Sequence, residues 1–183
     1  ALGGGGYPVL GLSVAEGARP RGTFANIPVE IDVHDSLIQT SGKLLSLLMA
    51  GLEGTQRMLD AQSLEQAVEA MSHARRIIFV GVGGGAAICD EAAHLFMKAG
   101  FEAASYRDGY TQTIIAAKLT AEDVMVGISH TGTTHTVADA MRLARKNGAT
   151  TIAITSDAES EVAKAANVCL TTWSATQQVV PLH

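Results

Sequence analysis

From about residue 75 onward the sequence keeps switching its hydrophobic period, and that alternation constrains the fold more than any other feature. "RRIIFVGVG", "EAASY", "DVMVGIS", "TTIAIT" and "NVCLTT" are short, largely apolar runs that read as five strands. Between them lie "AAICDEAAHLFMKAG", "YTQTIIAAKL", residues 134–147 and "SEVAKAA", which read as helices. Gly100 and Gly148 stand where the first and third of these should stop. Strands and helices linked this tightly imply parallel strands joined by right-handed crossovers. The strands are apolar on both faces, as expected when helices cover both sides of the sheet. In such sheets ligands bind beyond the carboxyl ends of the strands. Two unusual loops fall at those ends, 81–85 and 129–134.

The first, "GVGGG", is nearly all backbone. The second belongs to "GISHTGTTHTV", which packs five hydroxyl residues (Ser129, Thr131, Thr133, Thr134 and Thr136) around Gly132. One cap and one glycine suffice for a plain strand-to-helix connection. A helix N-terminus presents unpaired N–H groups and a partial positive charge, and binds phosphate without Lys or Arg. Hydroxyls added at that point, with a glycine that admits close backbone approach, suit a ligand rich in acceptor oxygens. A well-capped helix with surplus threonines is the plainer alternative.

Other constellations are weaker. Gly81 to Ala86 also matches the G-x-G-x-x-A spacing of a dinucleotide site, with Asp108 near the end of the next strand. No Gly-Lys-Ser/Thr follows, which excludes a P-loop. Asp90 and His94 lie four residues apart on one predicted helix and could form an acid–base or ligand pair, but ordinary surface pairs share this spacing. They lack a third partner, so neither a metal nor a cofactor is expected. His130 beside Ser129 does not make a triad, because sequence neighbours rarely face one another. It could still donate to an anion.

Upstream, residues 1–33 read as an irregular arm with Pro8, Pro20 and Pro28 and a short helix near "VLGLSVAEGA". Leu37, Leu44, Leu45, Leu48, Leu52 and Leu59 then recur at helical spacing, with Asp35 as the expected cap. "SLEQAVEAMSHA" reads as a second amphipathic helix, capped by Ser63 with Gln66 three residues on. A net charge of −5 is not the footprint of a nucleic-acid binder, so any DNA contact is expected from a part outside this chain. The 47% hydrophobic content supports a substantial core, and no apolar run is long enough for a membrane span. Two cysteines, Cys89 and Cys169, make no disulfide framework and are expected to be buried, reduced thiols of a cytoplasmic protein.

"GISHTGTTHTV" resembles the S-x-S-G-x-T signature of sugar isomerase (SIS) domains. "IIFVGVGGGAAICDEAAHLFMKAGFEAASYRDGYTQ" and "KNGATTIAITSDAESEVAKAANVCLTT" resemble the earlier and later parts of the same domain. With the helical lead "SGKLLSLLMAGLEGTQRMLDAQSLEQAVEAMSHARRI", the chain is most similar to the effector domain of RpiR-type bacterial transcription regulators.

The resemblance implies a three-layer αβα fold, flavodoxin-like and doubly wound, with a five-stranded parallel sheet preceded by two helices. It implies a phosphosugar-binding domain over 34–183, expected to lack its closing C-terminal helix. Residues 1–33 would then be a remnant of, or linker from, a helix-turn-helix domain. It further implies a homodimer or dimer of dimers that binds a phosphorylated sugar or sugar acid, with DNA bound through the absent N-terminal domain. Carried over by position, the ligand contacts are Ser129, His130, Thr131, Gly132 and Thr134, and in the first loop Gly83, Gly84 and Gly85. Thr131 replaces a usual Ser and keeps the hydroxyl. At 84 or 85 this chain has glycine where the family commonly has Ser, which leaves only backbone N–H groups there. An aldose–ketose phosphosugar isomerase is the alternative reading. It would need a base beside C1–C2 of the sugar, for which Asp108, His94 and His135 are the candidates.

Overall fold

A computed structural model describes residues 31–173. The expected arm helix near "VLGLSVAEGA" lies outside the described residues. Residues 31–53 belong to one compact unit and Gly54–Trp173 form another, which carries the sheet.

Helix α1 (Leu37–Met58) and helix α2 (Ala61–Ser72) precede the sheet. Both begin on a different residue from the one the sequence favours. Ser36, not Asp35, starts α1: its Oγ accepts from Gln39 N–H at 3.4 Å, and Gln39 Oε1 accepts back from Ser36 N–H at 2.8 Å. Asp35 is drawn instead to Lys43 Nζ, at 2.6 Å. In α2 the cap is Asp60, whose carboxylate accepts from Ser63 N–H at 2.7 Å, so Ser63 is the capped residue. The Asp60 carboxylate also complements the helix dipole.

The alternation then unfolds as expected: β1 (Arg76–Val80), α3 (Gly84–Lys98), β2 (Ala103–Tyr106), α4 (Gly109–Ala116), β3 (Asp123–Ile128), α5 (His135–Lys146), β4 (Thr150–Thr155), α6 (Glu161–Lys164) and β5 (Val168–Thr171). The strands lie in the order β2-β1-β3-β4-β5, all parallel. Gly100 and Gly148 follow α3 and α5 in the left-handed region, with φ of +94° and +93°.

Alternate residues of each strand feed opposite faces, which produces the three layers. Ile77, Phe79, Val124, Val126 and Ile152 pack with Ala67 of α2 and with Cys89 and Ala93 of α3. Ile78, Val80, Met125 and Ala153 pack with Val137 and Met141 of α5 and Val162 of α6. Small residues bring the layers close. A Cβ on Gly127 would stand 2.2 Å from Met141 Sδ, so α5 lies directly against β3 at this point. Both cysteines are free; Cys89 is buried as expected, whereas Cys169 is only half-buried. Burial first, and then the charge of Asp90, pushes the Cys89 thiol up to about 12.

The amino end of the sheet is held by charge. Asp123, at the start of β3, has a fully buried side chain that accepts from Arg75 and Arg76 at 3.0–3.1 Å and from Thr120 N–H at 2.8 Å. Burial alone would raise its carboxyl, but the two guanidinium groups and the Thr120 N–H prevail and hold it at about 2. This network therefore stabilises the fold above the ordinary carboxylate range and is lost as pH falls toward 2.

Candidate functional site

A cavity of about 700 Å³ opens at the carboxyl end of the sheet. It lies where the strand order reverses, between the ends of β1 and β3, which is the expected ligand position in a sheet of this order. The β1–α3 connection contributes Val82, and the first turns of α3 contribute Gly84, Gly85 and Ile88. The β3–α5 connection contributes Ile128, Ser129, His130, Thr131 and Thr134, and Ile154, Thr155 and Thr172 complete the lining. Six of the eight residues expected from the sequence thus line one cavity: Gly84, Gly85, Ser129, His130, Thr131 and Thr134. Gly83 and Gly132 are not in the lining; they shape the two turns.

Helix capping sets the cavity apart from the rest of the sheet's carboxyl end. Asp60, Asp108 and Ser160 each cap their helix by accepting an N–H from its first turn. The two helices that start at the cavity have no side-chain cap: α3 begins after Gly83 and α5 after Thr134. Thr134 could cap α5, but its Oγ1 is paired with Ser129 Oγ at 2.9 Å. One hydroxyl hydrogen is used between them, and the other remains to be donated. Thr131 and Thr133 form a second hydroxyl pair at 2.8 Å. At the start of α5 the Val137 and Ala138 N–H groups both bond Thr134 O, while His135 and Thr136 precede the first intrahelical bond. Positive helix ends and hydroxyl donors therefore meet at one cleft, with no Lys or Arg in its lining among the described residues.

Loop 129–134 is clamped from the neighbouring strand. Ser129 N–H bonds Ile154 O at 3.1 Å. The His130 carbonyl accepts from Ser156 N–H at 2.9 Å, Ser156 Oγ at 2.7 Å and Thr155 Oγ1 at 3.2 Å. Gly132 accepts from Val162 N–H at 3.0 Å, and a Cβ on it would meet Ser160 Oγ at 2.0 Å. Its φ of +67° independently favours glycine. The sequence reading missed Thr155, Ser156 and Ser160. The signal was present, because "TSDAES" follows a strand and is rich in hydroxyls, like the loop after β3.

The first loop has a different logic. Gly85 is not in the left-handed region; only Gly83 is, at φ +59°. The reason for glycine at 85 is proximity, since a Cβ there would stand 2.8 Å from Ile128 O. At Gly84 the same test finds nothing within 4 Å.

The other candidates fall outside the cavity. Asp108 caps α4, accepting from Thr111 N–H at 2.9 Å. Hydrogen bonding by Thr111, side chain and then backbone, holds its carboxyl below the ordinary range. Asp90 bonds Ser105 Oγ at 2.6 Å and Arg107, not His94. His94 and His135 are exposed and outside the lining. His130 is the titratable side chain of the lining.

The fold and cleft define a doubly wound α/β domain that presents uncapped helix ends at its topological switch point. More particularly, the chain belongs to the SIS domain family, whose model matches residues 70–181. It is 31% identical over 165 residues to the HTH-type transcriptional regulator HexR of Pseudomonas aeruginosa, covering 90% of this chain and 57% of that protein. The chain thus spans little more than half the length of this curated relative. Among solved structures, the sugar isomerase domain of an RpiR transcription factor from Sphaerobacter thermophilus is 27% identical. It superposes with a TM-score of 0.69, covering 73% of this chain and 75% of that one. Vibrio vulnificus NanR, solved in complex with ManNAc-6P, shares the fold at 21% identity and a TM-score of 0.71, over 78% of this chain and 53% of that one.

Proposed function

We propose that this chain is the phosphosugar-sensing effector domain of a cytoplasmic RpiR-type transcription regulator. The observation that carries the reading is capping. The helices that open onto the 700 Å³ cavity, α3 and α5, are the ones without a side-chain cap, which leaves their N–H groups for a ligand's phosphoryl oxygens. Ser129, His130, Thr131 and Thr134 donate from one side. The Gly84 N–H donates from the other, the Gly85 N–H being taken by Val82 O, while Gly83 and Gly132 set the turns. Val82, Ile88, Ile128 and Ile154 give the sugar ring an apolar surface. In this reading residues 34–183 are the effector domain and 1–33 lead to a separate DNA-binding domain, so ligand occupancy controls a function located elsewhere. The matched relative is an HTH-type regulator and NanR was solved with a phosphosugar, which supports the assignment. A homodimer is the expected working form.

The isomerase alternative needs a base at the sugar's C1–C2, and Asp108, His94 and His135 lie outside the cavity lining. A thermal-shift panel tests the proposal, comparing phosphosugars with their unphosphorylated parents. At least one phosphosugar should raise the melting temperature while its parent sugar does not. Equal shifts by the two, or none from any phosphosugar, would overturn it. NMR of the same mixtures should show no aldose–ketose interconversion.

A further inference from the structure

Gln112 of α4 is fully buried, yet it does not line the cavity. Its Nε2 donates to Gly81 O at 3.0 Å and to Tyr106 O at 2.9 Å. Its Oε1 is the one buried side-chain polar atom without a hydrogen-bond partner among the described residues. Turning the amide over would set an acceptor against two carbonyls, so the donor side is fixed by its neighbours. A buried orphan acceptor is unfavourable, and a methionine or leucine would carry none. An amide at this position is therefore explained by its donor side.

The two carbonyls that it joins end adjacent strands. Tyr106 is the last residue of β2, and Gly81 follows β1 directly and opens the turn into α3. That turn has almost no side chains to hold it. Gly85 N–H bonds Val82 O and Ala86 N–H bonds Gly83 O, each at 3.1 Å. The place of a Gly81 Cβ is filled by the Gly85 carbonyl, 2.8 Å away. Where the Gly81 carbonyl sits therefore decides where the first turn of α3 sits.

We propose that Gln112 is a positioning residue for the ligand site, whose buried amide ties the Gly81 carbonyl to the end of β2 and so aims the Gly84 N–H and the first turn of α3 into the cavity. The inference rests on the phosphosugar reading for its ligand but is tested partly without one.

The experiment uses the full chain with Gln112→Met and Gln112→Glu. Methionine keeps the length and removes both donated bonds; glutamate keeps the shape and donates only when protonated. Amide hydrogen exchange is measured at residues 82–86 and 129–134, and inorganic phosphate binding is measured by titration. In Gln112→Met, exchange at Gly85 and Ala86 should quicken about tenfold and phosphate should bind about tenfold more weakly, as expected for lost hydrogen bonds, with loop 129–134 unchanged. Gln112→Glu should behave likewise at pH 8 and recover in part relative to the native chain as pH is lowered to about 5, since burial raises its carboxyl pKa and the protonated carboxyl restores one of the two donated bonds. Unchanged protection at Gly85 and Ala86, equal loss in both loops, or no recovery in Gln112→Glu would overturn the proposal. A native chain that binds no inorganic phosphate would overturn the phosphate reading of the cleft and the ligand half of this one, while the exchange data would still decide the clamp.

Discussion

The two loops that face each other across the cavity solve one problem in opposite ways. Loop 129–134 carries its donors on side chains and is fastened to β4, the turn beyond it and α6 by Ile154, Thr155, Ser156 and Val162. Loop 81–85 carries its donors on the backbone and is fastened mainly by its own turn bonds and by Gln112. The difference teaches that a binding loop needs external support in proportion to the side chains it presents. Hydroxyls must be aimed, and aiming them requires a clamped backbone. A glycine turn has no side chains to aim, so fixing where the helix starts is enough, and few outside bonds do it.

The largest expected effect comes from breaking the clamped loop. Gly132→Ala places a Cβ about on top of Ser160 at a residue with φ +67°. Backbone strain of about 1–2 kcal/mol adds to the overpacking, typically about 1–3 kcal/mol, so the melting temperature should fall by several degrees or more. Thermal unfolding followed by circular dichroism checks this; a native-like melting temperature would show that the turn after β4 yields.

Gly85→Ser probes the other loop and should have the next largest effect. The new Cβ would stand 2.8 Å from Ile128 O, a backbone atom that cannot swing away. A loss of about 1–3 kcal/mol is expected from overpacking, measured by urea denaturation. A stable variant with an altered ligand ranking would mean that α3 shifts to accept the hydroxyl the family commonly carries.

Ser129→Ala and Thr134→Val sharpen the comparison on the side-chain loop. Each removes one member of the 2.9 Å hydroxyl pair. Losing a hydrogen bond to a charged ligand costs about 1.5–3 kcal/mol, so phosphosugar affinity should drop roughly tenfold to a hundredfold with the fold intact. Calorimetric titration with unchanged affinity in both variants would remove these residues from the site.

The smallest effect on stability should come from Gly84→Ser. Nothing stands within 4 Å of the new Cβ, and the position begins a helix. The melting temperature should stay within about 1–2 °C of the native value, since surface changes away from special features are nearly neutral. The ligand ranking in the thermal-shift panel should change, because the new hydroxyl would enter the cavity. An unchanged ranking would leave this loop's contribution to its backbone alone.

Much of this molecule was determined by sequence period and punctuation. The strand–helix alternation, the positions of Gly100 and Gly148, and a hydroxyl-rich loop at a strand's carboxyl end required only local chemistry to read. Local chemistry misled where two side chains could each start a helix, as with Asp35 against Ser36 and Asp60 against Ser63, because a shift of one to three residues in helix start alters which side chain faces the first turn. Tertiary structure alone decided the rest. Gly85 is held to glycine by a carbonyl from β3, far away in the chain, and not by its own backbone angle. Thr155, Ser156 and Gln112 support the cleft through bonds to residues 25 to 31 positions away, which no local pattern encodes. That α3 and α5 open onto the same cavity follows from the adjacency of β1 and β3 in the sheet, because adjacent parallel strands bring the helix starts that follow them to one place.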